Sequence, residues 1–198
     1  NMIMNIDPAI FKSYDIRAIY PTQINEENIA QIIKAIYKYF TVKIAKKNFT
    51  LALARDMRIS SPSFYKIAIE TLVSLGANVI DMGLMSTPTF YFAVFNYKYD
   101  CGIQITASHN PKEYNGAKFV MYGPKGLIKI GKETGMEEIK KYAISGVNLP
   151  INNKGTVTVK THVLEDEIEN AAKILGNPQI NRFKIVADSA NAMGGTYI

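Results

Sequence analysis

CGIQITASHNPKEYNGAKFVMY, residues 101–122, is the stretch that decides the fold. Two apolar segments with the composition of β-strands, CGIQI and AKFVMY, lie on either side of a polar loop. Asn115-Gly116 is typical of a hairpin turn, because both residue types tolerate positive φ. We therefore expect an antiparallel pair of strands, with Ser108 and His109 on a wide loop between them.

Outside this stretch, segments typical of strands and of helices alternate along the chain. The strand-like segments cover residues 49–54 and 77–83, and the helix-like segments cover residues 27–40, 60–76 and 86–98. At the start of the second helix, Ser60 or Ser61 is expected to be the cap, with Pro62 in the first turn. The alternation predicts an α/β fold in which a largely buried sheet is sandwiched between helices.

The composition changes towards the C-terminal end. Residues 145–159 are rich in Gly, Asn and Pro and are predicted to be a linker that carries at most a short strand. A predicted helix at 162–175 and a predicted strand at 183–195 follow. One helix and one strand enclose no core. We therefore interpret residues 1–150 as one domain and residues 151–198 as a linker with the truncated start of a similar second domain.

The composition also narrows the class of protein. The 198 residues are 47% hydrophobic, which is ordinary for a globular protein. No apolar run approaches the roughly 20 residues that cross a bilayer, and the N-terminus lacks the pattern of a secretory signal. The single cysteine, Cys101, allows no internal disulfide, and we expect it to pack at the start of a strand. These features predict a cytoplasmic protein without a membrane partner.

The net charge of +6 comes from 23 Lys and Arg against 17 Asp and Glu. The lysines are scattered along the chain, and no zinc-finger or helix-turn-helix pattern accompanies them. We therefore expect no nucleic-acid partner, whereas the charge suits a small phosphorylated substrate.

The loop at residues 106–116 is the first of three that contain residues suited to chemistry. In one interpretation it is a polar loop in which Ser108 and Asn110 bond to the local backbone. In another, Ser108 is the nucleophile of a hydrolase and His109 its base. The G-x-S-x-G pattern of one common hydrolase class is missing, and neighbouring residues seldom turn their side chains towards each other.

The other two loops offer groups that bind anions. In FKSYDIRAIYP (11–21), Tyr14 and Arg17 are suited to binding phosphate oxygens, and the alternative is that Asp15 pairs with a cation such as Arg17 to fix the loop. In ALARDMRISSPSF (52–64), a strand, a polar turn and a helix N-terminus form a place that suits an anion. The favoured alternative there is helix capping by the two serines.

Together the three loops resemble the α-D-phosphohexomutase superfamily, especially its phosphomannomutase/phosphoglucomutase branch. TASHNP and YNGAK (106–118) are similar to the family's phosphoserine loop, and YDIRA (14–18) to its Tyr-Asp-Ile-Arg-Gly element. ARDMRISSP (54–62) resembles a Gly-x-Asp-x-Arg-x-Ser-Ser element, and ADSANAMGG (187–195) resembles the strand and turn that open the second domain. The resemblance covers nearly the whole chain and implies the fold of phosphohexomutase domain 1.

The resemblance also implies a reaction. The enzyme would transfer a phosphoryl group between the 1- and 6-positions of a hexose phosphate, mannose or glucose, through a hexose 1,6-bisphosphate that also serves as activator. Ser108 would carry the phosphoryl group, and Mg²⁺ would contact its phosphate oxygen. His109 would contact the reacting groups, and Lys118 would be the general acid/base. Tyr14 and Arg17 would help to hold the loop and the transferring group.

The chain departs from the family pattern in two ways. Ala18, Ala54 and Ala192 replace family glycines, which restricts the backbone there but removes no chemical group. The Asp-Gly-Asp-x-Asp-Arg loop for Mg²⁺ and the later sugar and phosphate loops are missing. We therefore expect an N-terminal fragment that is inactive alone and able to self-associate through its truncated second domain, with the substrate-binding residues and the hexose unassigned. A non-catalytic phosphosugar-binding relative and, less favoured, an α/β serine hydrolase stay open as alternatives.

Overall fold

The computed structural model describes residues 5–149 and 154–198. Within these ranges a mixed sheet of seven strands has the order β1-β5-β4-β2-β3-β7, and β6 also pairs with β5. The strands are β1 (Ile16–Ile19), β2 (Thr50–Arg55), β3 (Asn78–Leu84), β4 (Cys101–Ile105), β5 (Tyr114–Gly123), β6 (Gly126–Lys129) and β7 (Thr156–Val159). Strands β4, β2, β3 and β7 are parallel neighbours, whereas β5 runs antiparallel to β4 and β1.

Five α-helices cover the two faces of the sheet in the described part of the chain. They are α1 (Ile29–Ile44), α2 (Ser61–Ser74), α3 (Thr87–Asn96), α4 (Glu137–Ser145) and α5 (Val163–Ile174). Helices α1, α2 and α4 pack together over one face, and α3 and α5 pack over the other. The predicted α/β sandwich is therefore confirmed. No helix within the described ranges combines the length and apolar character that a bilayer crossing needs.

Strand periodicity explains why both faces of the sheet are apolar. Along β2, Leu51 and Leu53 point into the core beneath α1 and α2, while Ala52 and Ala54 point into the core beneath α3. Gly102 on β4 leaves room for the ring of Phe90, because a Cβ there would lie 2.8 Å from that ring. Cys101 begins β4 as predicted, and burial raises the pKa of its thiol.

The predicted pairing of β4 with β5 is confirmed, but the predicted Asn-Gly turn is wrong. Asn115 and Gly116 lie inside β5, and neither has a positive φ. Gly116 pairs with Arg17 of β1, and a Cβ at this position would lie 1.8 Å from the carbonyl oxygen of Ile16. The glycine therefore allows a close approach between two strands instead of a tight turn.

The C-terminal region confirms one prediction from the sequence and contradicts another. The short strand foreseen in the linker is present as β7, and it pairs with β3 in the same sheet. Residues 150–153 of that linker, including the domain boundary at 150, lie outside the described residues. The strand predicted at 183–195 is wrong, because this segment contains a 3-10 turn (Met193–Thr196) and no strand pairing. A strand needs a neighbour for its backbone N–H and C=O groups, and the described residues supply none there.

Candidate active site

The sheet topology brings the Ser108 loop beside the turn that follows β2. Strands β2 and β4 are parallel neighbours, and Arg55 at the end of one pairs with Ile105 at the end of the other. The segments that follow both strands therefore leave the sheet at the same edge. The carboxyl ends of parallel strands are a common place for ligand sites in α/β folds.

Ser108 has an uncommon backbone conformation. Its φ of 58° lies in the left-handed region, which costs free energy for a residue with a Cβ. Its N–H donates to Oγ1 of Thr106 at 3.0 Å, and its Oγ lies 3.3 Å from Nδ1 of His109. Ser108 is half-buried and His109 is exposed, so both side chains are accessible from solvent.

The hydrolase alternative needs a third group that orients the histidine. In residues 5–149 and 154–198, the His109 ring has no hydrogen bond to a carboxylate. The nucleophile, base and orienting acid of a serine hydrolase are therefore not assembled around Ser108. The geometry instead presents an accessible serine hydroxyl on a loop, with hydrogen bonds to both the N–H and the carbonyl oxygen of that serine.

A buried carboxylate brings two of the predicted site residues together. The Asp15 side chain is 2% exposed and accepts hydrogen bonds from Nε of Arg17 at 2.8 Å and from Nζ of Lys118 at 2.6 Å. The ion pair between Asp15 and Arg17, which the sequence left as an alternative, is therefore present. Two cations share one carboxylate, so the cluster has a net positive charge beside the loop.

Arg17 also connects this cluster to the loop. Its Nη1 donates to Oδ1 of Asn110 at 2.6 Å, two residues beyond Ser108. Lys118 extends from β5 opposite Gln104 and is 13% exposed. Tyr14 is 73% exposed and makes no hydrogen bond within the described residues. The structure thus gathers Ser108, His109, Arg17 and Lys118 on one side of the sheet edge and leaves Tyr14 at the surface.

Ser60 and Ser61, at the start of α2, do not make the capping hydrogen bond that was predicted. Ser60 occupies the N-cap position without a side-chain capping hydrogen bond. Instead, the Oγ atoms of Ser60 and Ser61 accept from Nδ2 of the fully buried Asn115, at 2.8 and 3.1 Å. The hydroxyl of Ser61 also donates to Oδ1 of Asp56 at 2.6 Å. The two serines therefore attach α2 to β5 and to the turn after β2, which draws their hydroxyls away from the helix N-terminus.

Asp56 and Arg58 are functional candidates that sequence reasoning missed. Asp56 accepts from Oγ1 of Thr106 at 2.7 Å and from Nε of Arg58 at 3.0 Å. Arg58 in turn donates to the backbone of the Ser108 loop. The Asp-x-Arg-x-Ser-Ser spacing was visible in the sequence, but its partners lie about fifty positions along the chain. The local sequence pattern alone predicted helix capping or an anion-binding site.

The described residues do not form a metal site by themselves. Within them, no group of three or more His, Cys, Asp or Glu side chains is placed to hold a metal ion. Mg²⁺ prefers several oxygen ligands, and a phosphate on Ser108 would supply one kind of them. The donor set for the implied Mg²⁺ is therefore incomplete in this part of the chain.

A separate cleft of about 520 Å³ lies at the carboxyl end of β3. Asp81, Leu84, His162 and Tyr197 are among the residues that line it. It contains no residue of the Ser108 loop and is therefore not the candidate site.

Comparison with known proteins agrees with this architecture. Residues 8–146 match the family described as phosphoglucomutase/phosphomannomutase, alpha/beta/alpha domain I. The chain belongs to this family. It is 32% identical over 188 residues to a phosphomannomutase of Vibrio cholerae serotype O1, with 95% of this chain and 40% of the relative covered. It is 32% identical over 195 residues to a phosphoglucomutase of Neisseria meningitidis serogroup A, with 98% and 40% covered.

A solved structure gives the same result. A phosphoglucomutase/phosphomannomutase family protein from Burkholderia thailandensis superimposes with a TM-score of 0.71 at 26% identity. The match covers 89% of this chain and 37% of that protein. The chain thus spans about 40% of the length of the curated relatives it matches.

Proposed function

We propose that this chain is the phosphoserine-bearing part of a phosphohexomutase. The enzyme would move a phosphoryl group between the 1- and 6-positions of mannose or glucose phosphate through a hexose 1,6-bisphosphate. The observation that carries the proposal is Ser108, held at a φ of 58° beside a positively charged cluster. Phosphoryl transfer depends chiefly on positioning and charge stabilisation, and this arrangement supplies both.

In the proposed step, the phosphorus of phosphorylated Ser108 is attacked by a hydroxyl oxygen of the hexose phosphate. The new P–O bond forms to the sugar, the bond to Oγ of Ser108 breaks, and the sugar hydroxyl loses its proton. The carboxylate of Asp15 pairs with the ammonium form of Lys118. Lys118 would therefore donate a proton to Oγ of Ser108 as that bond breaks, and its amine would take up the proton that the sugar hydroxyl releases, so that each transfer begins and ends with Lys118 protonated.

The other site residues have supporting roles in this proposal. Arg17, anchored on Asp15 through Nε, would use its guanidinium charge to stabilise the transferring group while its contact with Asn110 holds the loop. His109, exposed beside the serine, would donate to or accept from the reacting oxygens. Tyr14 is 73% exposed, so it would take part only once substrate or further chain covers it.

We further propose that residues 1–150 form the domain that bears this loop. Residues 151–198, whose strand β7 joins the same sheet, would form the linker and the start of a second domain of a longer, cytoplasmic enzyme. The 40% share of the relatives' length supports a longer enzyme, and the end of the domain I match at residue 146 supports the division. Mg²⁺ would be the cofactor, with its remaining ligands supplied from outside the described residues. On this proposal, residues 1–198 alone convert no hexose 1-phosphate to 6-phosphate at any Mg²⁺ concentration, and conversion by the purified chain would contradict it.

The main test is the phosphorylation state and turnover of the full-length protein. Intact-mass measurement and peptide mapping should locate one phosphoryl group on Ser108, and Ser108→Ala should abolish both that group and nearly all mutase activity. Ser145→Ala, which changes an exposed serine at the end of α4, is the matched control and should behave as the unmodified protein. Wild-type turnover by Ser108→Ala, with glucose 1,6-bisphosphate supplied, would refute the proposal. Phosphosugar binding without a phosphoserine would favour the non-catalytic relative.

A further inference from the structure

Arg58 uses all of its hydrogen-bonding capacity on the turn after β2 and on the Ser108 loop. A guanidinium group has five N–H donors, and each of the five meets an acceptor here. Nε donates to Oδ2 of Asp56 at 3.0 Å. The other four donors meet backbone carbonyl oxygens of the loop: Pro111 at 2.6 Å and Tyr114 at 2.9 Å for Nη1, and Asn110 at 2.7 Å and Ser108 at 3.0 Å for Nη2.

The position of the guanidinium is itself fixed. Its side chain is 11% exposed, and Asp56 accepts from both its Nε and its backbone N–H. Asp56 also accepts from Thr106, whose Oγ1 receives the N–H of Ser108. One carboxylate therefore anchors both of the groups that hold the Ser108 backbone: Thr106 binds its N–H, and Arg58 binds its carbonyl oxygen. A residue in the left-handed region persists when its surroundings determine it in this way.

We propose that Arg58 is a positioning residue for phosphoryl transfer at Ser108. The inference rests on the function proposed above. Arg58 has no N–H group left for a phosphate oxygen, so its contribution is to the shape of the loop and not to direct anion binding. Arg17 differs, because the loop takes one of its Nη groups and a carboxylate takes its Nε. Arg58 thus holds the loop, whereas Arg17 stabilises the charge of the transferring group.

The planar geometry of the guanidinium group makes lysine a poor substitute for Arg58. An ammonium group offers three donors from a single nitrogen, whereas the four loop carbonyls meet two separate nitrogens of a planar group. Arg58→Lys would therefore retain the charge and lose most of the loop contacts. The strands on either side of the loop pack into the two cores independently of Arg58, so the change should be confined to the loop.

The test compares Arg58→Ala and Arg58→Lys with Arg55→Ala. Arg55 lies three positions earlier and donates to the carbonyl of Asp56 but not to the loop. In the 198-residue chain, hydrogen exchange of the loop amides should quicken in both Arg58 variants, while the amides of β4 keep their protection. In the full-length protein, kcat should fall about a hundredfold, the usual effect of misplacing a reacting group by about an ångström. KM should change much less. Arg55→Ala should leave the hydrogen exchange of the loop and both kinetic constants unchanged.

Chemical rescue separates positioning from a general loss of structure. Guanidinium at millimolar concentration should restore part of the kcat of Arg58→Ala and slow its loop exchange, because the small cation can occupy the vacated space. The proposal is overturned if Arg58→Lys keeps wild-type kcat and loop exchange. It is also overturned if loop and β4 amides lose protection together without rescue. If Ser108 never carries a phosphoryl group, the proposed function fails, while loop exchange still decides whether Arg58 holds the loop.

Discussion

The Ser108 loop and the C-terminal segment at residues 176–198 both adopt left-handed backbone at residues other than glycine, but they are held very differently. Ser108 has a φ of 58°, and Ala190 and Asn191 have φ values of 49° and 53°. Arg58, fifty positions earlier, holds the carbonyl oxygen of Ser108, and Thr106, which binds the N–H of Ser108, is itself anchored on the distant Asp56. The turn at Ala190 is held by its immediate neighbours, through its N–H to Asp188 at 2.8 Å.

The two regions also differ in how deeply their apolar side chains are buried. Phe119, on the strand that follows the loop, is 1% exposed, whereas Phe183, Ile185 and Val186 are 71%, 80% and 91% exposed. The segment touches the sandwich through Tyr197, whose hydroxyl accepts from the N–H of Ser86 at 2.7 Å. The loop is thus complete within the described chain. We expect the segment to need an apolar partner surface, from a second copy of the chain or from the remainder of the protein.

A first test of the difference between the two regions removes the lysine beside the Ser108 loop. Lys118→Met should lower turnover of the full-length protein by roughly a hundred- to ten-thousand-fold, because that is the usual worth of a positioned acid/base group. Substrate binding should persist. Lys184→Met, in the exposed segment, is the control and should leave turnover unchanged. A loss confined to KM would make Lys118 a binding cation and not the proton donor proposed here.

A second test compares the two phenylalanines. Phe119→Ala should lower the free energy of unfolding by about 3–5 kcal/mol, because the truncation leaves a cavity in a closely packed core. Phe183→Ala should change it by less than about 0.5 kcal/mol, as is usual for an exposed site. Denaturant unfolding of the 198-residue chain measures both. Equal effects would mean that the segment packs on the sandwich far more closely than its exposure indicates.

A third test uses two glycines. Gly116→Ala places a Cβ 1.8 Å from the backbone of β1, so β1 must move, and we expect a loss of about 1–3 kcal/mol or more in unfolding free energy. Arg17 lies on that strand, so turnover of the full-length protein should fall as well. At Gly194 the nearest contact of a new Cβ is 3.3 Å away, with Ser189, and the effect should be small. Wild-type stability of Gly116→Ala would contradict the close approach of β1 and β5.

Gly116 also shows what could not be predicted from the sequence. The main helices and strands were predictable because periods of 3.6 and 2 residues are local properties. The role of Gly116 was not, because it depends on contact with Ile16, a hundred positions earlier. The partners of Arg58 and Asp56 are likewise about fifty positions away. The strand expected at 183–195 had the right local composition but lacks a pairing neighbour.

The placement of Ser108, Arg17 and Lys118 at one site came from the resemblance, not from periodicity. What the resemblance did not provide was how they are connected. Asp15 was expected at most to fix its own loop, yet it joins Arg17 to Lys118 across two strands. A buried carboxylate with two cationic partners is visible only once β1 and β5 are paired. Its importance follows from tertiary contacts that no single stretch of sequence contains.

The smallest expected effect is on the pH dependence of the free energy of unfolding. We expect a carboxylate of the sandwich to contribute to this dependence and a carboxylate of the C-terminal segment not to contribute. Burial tends to raise the pKa of Asp100, but hydrogen bonds from the Thr50 N–H at 2.8 Å and from Lys46 at 3.0 Å outweigh it, so the pKa is below its usual value. The folded state therefore binds fewer protons at Asp100 than the unfolded state. The resulting stability is present above the unfolded pKa and is lost as the pH falls through the lower, folded pKa.

Asp100→Asn should consequently be less stable than the unmodified chain near neutral pH, by about 1 kcal/mol or less because the pair is partly exposed. This difference should shrink as the pH falls below about 4, where aspartate in the unfolded chain takes up its proton. Asp188→Asn, in the exposed segment, should give a difference near zero at every pH. Denaturant unfolding of the three proteins between neutral and acidic pH measures this. A difference for Asp100→Asn that stays constant with pH would show that its carboxylate is not stabilised by Thr50 and Lys46, and that the variant acts through packing alone.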